Sequence, residues 1–208
     1  YFKVKGGVLT SITSAGQSYL AGQGRNGVLV LPSSITRIDN GVFTQRFQNF
    51  KAIYAEGVTE VSSFAFQETG SLNFAHLPKL KKLGEAVFTD NASLTAVNFP
   101  LLEEIGDVCF SGGANFSGNG LKITYVSIPA AKKIGSGAFH GNYKHSGVTF
   151  ILGAQPEVNT KAYEDYPQEG FVAFGQLKSP VLYVTPEHLK TYTLTDGKWH
   201  GFTVKELK

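Results

Sequence analysis

Six times in this chain an aliphatic residue stands five positions before an aromatic one: Ile38 and Phe43, Val61 and Phe66, Leu83 and Phe88, Ile105 and Phe110, Ile134 and Phe139, and Val158 and Tyr163. The offset never slips. A small or turn-forming residue follows each aliphatic anchor (Asp39, Ser62, Gly84, Gly106, Gly135, Asn159), and a small or apolar residue precedes each ring (Val42, Ala65, Val87, Cys109, Ala138, Ala162). Successive rings lie 22–29 residues apart, a period in the range of leucine-rich repeats.

The agreement extends upstream of the anchors. A further apolar residue sits three positions earlier in Ile35, Val58, Leu80, Leu102 and Ala131, and Pro32, Pro78, Pro100 and Pro129 stand two or three positions before these. Short alternating runs precede the prolines, clearest in Val97-Asn98-Phe99 and Val126-Ser127-Ile128. Such alternation reads as a half-buried strand, which proline ends by removing a ladder donor. One unit cannot bury its apolar face alone, but stacked units bury a continuous column. The spacing therefore predicts a repeat solenoid: a right-handed leucine-rich-repeat-like array, with a parallel β-sheet on one face, short turn, 3-10 or helical segments on the other, and a cap at each end.

These residues resemble the BspA-like leucine-rich repeats, a bacterial family whose units run roughly Ile-Gly-x-x-Ala-Phe, then Leu-x-x-Ile-x-Ile-Pro and back to Ile-Gly. Val126-Ser127-Ile128-Pro129 through Ile134-Gly135-Ser136-Gly137-Ala138-Phe139 carries the resemblance best. It covers about residues 28–163 as repeats and implies a scaffold without shared catalytic residues. It also implies a bacterial cell-surface or secreted protein, with adhesion as the commonly proposed role.

The expected organisation is one domain over residues 1–208. Residues 1–27 form an N-terminal cap, with strands at Phe2-Lys3-Val4 and Val8 to Ile12 joined by Gly6-Gly7. About six repeats occupy 28–163, and a degenerate repeat and C-terminal cap occupy 164–208. In that cap Pro180 to Val184 is the last strand. A short helix then runs from an N-cap at Thr185, with Pro186 at its first position, to about Tyr192. Trp199, Phe202, Val204 and Leu207 supply the closing apolar surface; the resemblance implies the same arrangement of terminal strand, short helix and Trp-containing tail.

Charge and chemistry exclude several classes. With 19 basic and 16 acidic residues, a net charge of +3 gives no basic stripe for nucleic acid. Lys81-Lys82 and Lys132-Lys133 fall at equivalent solvated corners. The single cysteine, Cys109, permits no intrachain disulfide and reads as a small core hydrophobe. His140 and His145 read as exposed loop residues with no metal ligand set around them. The Gly-rich stretch Ala21 to Gly27 is a turn, since no Lys-Ser/Thr follows it to make a phosphate loop. Glu103 and Glu104 sit at a solvated bend, and no nucleophile elbow occurs. No cofactor, metal or enzymatic activity is expected, nor is a transmembrane segment. The chain is expected to be a monomer. It contains no Met and starts at Tyr1, as a processed form or a fragment would.

The expected function is binding of a protein or glycan ligand. Residues alternating with the inward aliphatics form two outward columns, Ala52, Phe74, Ala96, Tyr125, Thr149 and Val30, Tyr54, His76, Asn98, Ser127, Ile151. Tyr54, Phe74, His76, Asn98 and Tyr125 are the candidate binding residues. Two alternatives stand beside this one: binding on the rim through the insertion 111–120, and a passive spacer in a larger surface protein.

Overall fold

The computed structural model describes residues 1–44, 50–112, 122–141, 147–161 and 172–208. The chain opens with an antiparallel hairpin, β1 (Phe2–Lys5) and β2 (Val8–Ile12), a helix α1 (Ser14–Gly22) and a 3-10 turn (Gly24–Asn26). Each following unit pairs a longer strand with a two-residue strand. These are β3 (Gly27–Val30) with β4 (Arg37–Ile38), β5 (Phe50–Tyr54) with β6 (Glu60–Val61), β7 (Phe74–His76) with β8 (Lys82–Leu83), β9 (Ala96–Asn98) with β10 (Glu104–Ile105), β11 (Tyr125–Ile128) with β12 (Lys133–Ile134), and β13 (Thr149–Leu152) with β14 (Glu157–Val158). The chain closes with β15 (Val181–Val184), α2 (Pro186–Leu189), β16 (Lys198–Trp199) and β17 (Phe202–Glu206).

The repeat solenoid is present, and its walls are more strand-rich than the spacing suggested. The anchor residues themselves are extended: β2, β4, β6, β8, β10, β12 and β14 pair in parallel in an eight-stranded sheet that β1 completes. The longer strands form the opposite wall, split into a three-stranded sheet, β3-β5-β7, and a six-stranded one, β16-β17-β15-β13-β11-β9. The break lies between the neighbouring strands β7 and β9, at Ala75, the smallest inward side chain in the row Leu29, Ile53, Ala75, Val97, Val126.

Between the walls runs one core from Leu9 to Phe202. Ile38, Val61, Leu83, Ile105 and Ile134 are buried, as are Ile35, Val58, Leu80, Leu102 and Ala131. Val158 is half-buried, because β14 is the terminal strand of its sheet. The rings form a parallel stack with centroid spacings of 5.0, 5.4, 5.4 and 5.1 Å from Phe43 through Phe66, Phe88 and Phe110 to Phe139. Beside it runs a backbone ladder in which each ring residue's N–H donates to the residue before the next ring: Phe43 to Ala65, Phe66 to Val87, Phe88 to Cys109, Phe110 to Ala138. Tyr163 lies outside the described residues. The ring that stacks on Phe139 is Phe174, 5.8 Å away and 8° from parallel, and the Phe139 N–H donates to Ala173. The last unit thus reaches its ring only after an insertion.

Close approach, not conformational freedom, explains the glycines after three anchors. A Cβ on Gly106 would lie 2.4 Å from the Gly84 carbonyl carbon and oxygen, and one on Gly135 would lie 2.6 Å from the Asp107 nitrogen. Left-handed backbone recurs instead three residues after each of the first five anchors, at Gly41, Phe64, Ala86, Val108 and Gly137, with φ between 47° and 62°. Buried polar side chains in the turns hydrogen-bond to one another and to the backbone: Asn91 Nδ2 donates to the Phe66 carbonyl at 2.7 Å and its Oδ1 accepts from Thr69 Oγ1 at 2.6 Å.

Both ends depart from the expectation in detail. Helix α1 falls in a stretch where only strands and a Gly-rich turn are foreseen. Thr13 caps it, accepting from the Gly16 N–H at 3.1 Å. At the other end Val181–Val184 is not the last strand, since β17 adds to it in parallel and β16 folds back on β17. Helix α2 stops at Leu189, three residues short of Tyr192, because the next N–H groups bond three residues back and tighten the turn. Tyr192 and Trp199 are buried there, and the Tyr192 hydroxyl donates to the Gly153 carbonyl at 3.0 Å.

Candidate functional site

On the strand wall, side chains alternate between core and solvent, so β5 and β7 turn Tyr54, Phe74 and His76 outward. Tyr54 is 39% and Phe74 46% exposed. Their rings meet: Tyr54 lies 5.6 Å from both Phe74 and His76, and Phe74 lies 6.4 Å from His76 and 12° from parallel. The His76 Nε2 is 3.1 Å from Glu56 Oε1, a contact that is an ion pair only when the imidazole is protonated. On the neighbouring edge strand Val28 and Val30 are 46% and 65% exposed and stand in register with Ala52 and Tyr54. Five exposed or half-exposed apolar and aromatic side chains therefore share the face of the three-stranded sheet.

The other candidates sit further along the wall. Asn98 is exposed on β9, and Tyr125, 37% exposed, is paired with Ala96 on β9, two strands from Phe74. The structure brings Tyr54, Phe74 and His76 together and leaves Tyr125 as a separate ring across a floor made by Ala96. Ala52, expected among the outward residues, is only 6% exposed, its methyl too short to rise between Val28 and Phe74.

Sequence reasoning missed what adjoins this face. At the amino ends of the strands lies a trough of about 450 Å3, lined by Asn26, Lys51, Asn73, Ser93, Thr95 and Lys122, with Gly70 and Ser71 at its side. They come from five different units, one to three residues from each, so no linear motif announces the trough. The only signal is that polar residues, not apolar ones, precede successive strands.

The opposite wall carries a different pattern. In register across its two-residue strands stand Arg37, Glu60, Lys82, Glu104, Lys133 and Glu157, positive and negative in strict alternation. Lys82 Nζ lies 3.6 Å from Glu104, and in the neighbouring column Lys132 Nζ lies 2.6 Å from Glu103. That hydrogen bond holds the Glu103 carboxyl below its usual range. Glu103 and Glu104 thus each answer to a separate lysine instead of facing a shared substrate.

Two further groups with chemical potential are buried. Cys109 is fully buried, and the loss of solvent pushes its thiol up to about 12, so it is not a thiolate at neutral pH. His140 is 4% exposed, not an exposed loop residue: the backbone folds inward there, with Gly112 N–H donating to its carbonyl. His145 and most of the 111–120 insertion lie outside the described residues. Among the described residues no three His, Cys, Asp or Glu side chains are grouped to hold a metal, and no helix is long and apolar enough to cross a membrane.

Comparison with known proteins adds a sequence family and two folds. A model of the BspA type leucine rich repeat region matches residues 22–146 in six copies, ending before the unit whose ring is displaced to Phe174. No curated protein matches the chain. Among solved structures it is similar to the pneumococcal vaccine antigen PcpA, with 18% identity and a TM-score of 0.54 over 79% of this chain and 38% of that one. It is also similar to a leucine-rich repeat protein from Bacteroides ovatus, with 20% identity and a TM-score of 0.47 over 74% of this chain and 42% of that one. The chain spans less than half the length of either.

Proposed function

The chain belongs to the BspA-type leucine-rich repeat family, and from that premise we propose that it is a non-enzymatic recognition module of a bacterial surface or secreted protein. Its ligand, a protein or a glycan, docks on the outer strand wall. Tyr54, Phe74 and His76 form the centre of the contact, with Asn98 and Tyr125 on its border. One observation carries this reading: three rings lie within 6.4 Å of one another, solvent-facing, on strands whose other side is locked into the core. Large amphipathic rings held rigidly are the side chains that most often dominate interface energy. An exposed apolar and aromatic patch of this kind on a soluble surface marks an interaction site. Among the described residues the pairing of surface charges with one another supports a role without catalysis.

The test is capture on an array of immobilised glycans and extracellular-matrix proteins, comparing the parent with Tyr54→Ala/Phe74→Ala. Loss of the captured partner by about tenfold or more, with an unchanged melting temperature, is expected. Unchanged capture that disappears on deleting residues 111–120 would move the site to the insertion rim. Capture unaffected by either change, or absent throughout, would favour the spacer.

A further inference from the structure

We propose that the ligand of this face is an acidic polysaccharide, its carboxylate or sulfate groups seated between Lys51 and Lys122 in the trough at the strand ends and its sugar rings lying against Phe74 and Tyr125. This rests on the sheet-face reading and names the chemistry it serves.

The trough is one-signed. Among the described residues its two charged side chains are both lysines, and the other described lining residues carry hydroxyls, amides or no side chain, with neither a carboxylate nor an apolar side chain among them. Two ammonium groups set among neutral donors and acceptors attract an anion and provide nothing to neutralise it internally. The hydroxyl and amide groups of Asn26, Asn73, Ser93 and Thr95 both donate and accept, which suits the hydroxyls of a sugar. A peptide partner would call for apolar pockets along the groove, and none of its described lining residues supplies an apolar side chain.

The arrangement also fits a chain in preference to a single ion. Asn26 precedes β3, Lys51 lies in β5, Asn73 precedes β7, Thr95 precedes β9 and Lys122 precedes β11. Paired neighbouring strands are ~4.8 Å apart, so β3, β5 and β7 span roughly 10 Å, and β9 and β11 continue the row beyond the break between the two sheets, which leaves room for several linked sugar rings. The volume of about 450 Å3 lies within the range of ~300–1,000 Å3 typical of ligand sites. Phe74 follows Asn73 directly, and Ala96 separates it from Tyr125. Two exposed rings therefore stand on strands that follow the trough residues, with Ala96 as a low floor between them.

The experiment measures binding of the intact chain to biotinylated heparin, hyaluronan and dextran oligosaccharides, an oligothymidylate and a poly-glutamate peptide. Binding to heparin or hyaluronan at least tenfold tighter than to the other three is expected. Lys51→Ala/Lys122→Ala should weaken it by tenfold or more, and Phe74→Ala should weaken it as well. Lys51→Arg/Lys122→Arg should largely retain it. Lys81→Ala/Lys133→Ala removes the same charge from the opposite wall and should leave it unchanged. An equal loss from both lysine-to-alanine pairs would reduce the effect to general basicity and overturn the proposal. So would failure to bind either acidic polysaccharide, or preference for the oligothymidylate or poly-glutamate. In those cases the sheet-face reading still stands if Tyr54→Ala/Phe74→Ala abolishes capture of another partner on the array, and falls with the proposal if it does not.

Discussion

Phe174 lies parallel to Phe139, their centroids 5.8 Å apart, and so occupies the next place in a stack whose other members follow their anchors by five residues. Phe174 also meets Phe150, Phe202 and Trp199 at 5.8, 5.0 and 5.6 Å, which makes it the joint between the repeats and the closing strands. Phe174→Ala is expected to cost ~3–5 kcal/mol, as much as Phe88→Ala in the middle of the stack. Chemical denaturation of the two variants checks this; a loss under ~1 kcal/mol at Phe174 would remove it from the core column.

Gly106→Ala places a methyl 2.4 Å from the backbone of Gly84, and two rungs of a close-packed array must separate to admit it. A loss of ~2–3 kcal/mol is expected. At the equivalent position Ser62 already carries a Cβ, so Ser62→Ala should stay within ~0.5 kcal/mol of the parent. Equal melting temperatures for the two variants would show that the glycines serve no packing purpose.

Phe64 holds a left-handed backbone, φ 60°, where Gly41 and Gly137 do the same at no steric cost, and its ring is 37% exposed. The strain of a non-glycine residue there is ~1–2 kcal/mol. Phe64→Gly should therefore leave stability unchanged or raise it by up to ~1 kcal/mol, in contrast to the buried rings. A drop above ~2 kcal/mol in denaturation would show that the ring's contacts outweigh the backbone strain.

Burial and, behind it, the nearby Glu68 raise the Asp90 carboxyl above its ordinary value. For an acid whose folded pKa is raised, the stability linked to its proton is fully present below the unfolded value near 3.8 and is lost as pH rises through the folded value. Asp90→Asn keeps a residue that tolerates the left-handed backbone, φ 60°, and removes the charge. It should stabilise the protein at pH 7 and give no gain at pH 3. Melting curves at the two pH values decide it; the same difference at both would separate the effect from titration.

How much of this was legible follows from how each feature is written in the chain. The anchors and the rings from Phe43 to Phe139 could be read because burial demands one residue type at a fixed offset in every unit. Phe174 escaped because an insertion moves it away from that offset and Tyr163 stands where a ring is expected. The two-residue strands are too short to show alternation, so the second wall was invisible. Helix α1 buries only Gly16 and Leu20, too thin a stripe for a helical period. The outward positions of Tyr54, Phe74 and His76 followed from strand alternation alone. The trough did not, because it takes one to three residues from each of several units, and polar residues at strand ends look like ordinary turns.

In the proposed complex the ligand sits on the strand wall that carries Tyr54 and Phe74. Hydroxyl-radical footprinting of the chain with and without its captured partner, read by mass spectrometry, tests it most directly. Binding should protect Tyr54, Phe74 and Tyr125 severalfold while Tyr1 and Tyr19, exposed at the far amino end, oxidise as before. Unchanged oxidation of Tyr54 and Phe74 in a saturated complex would contradict it.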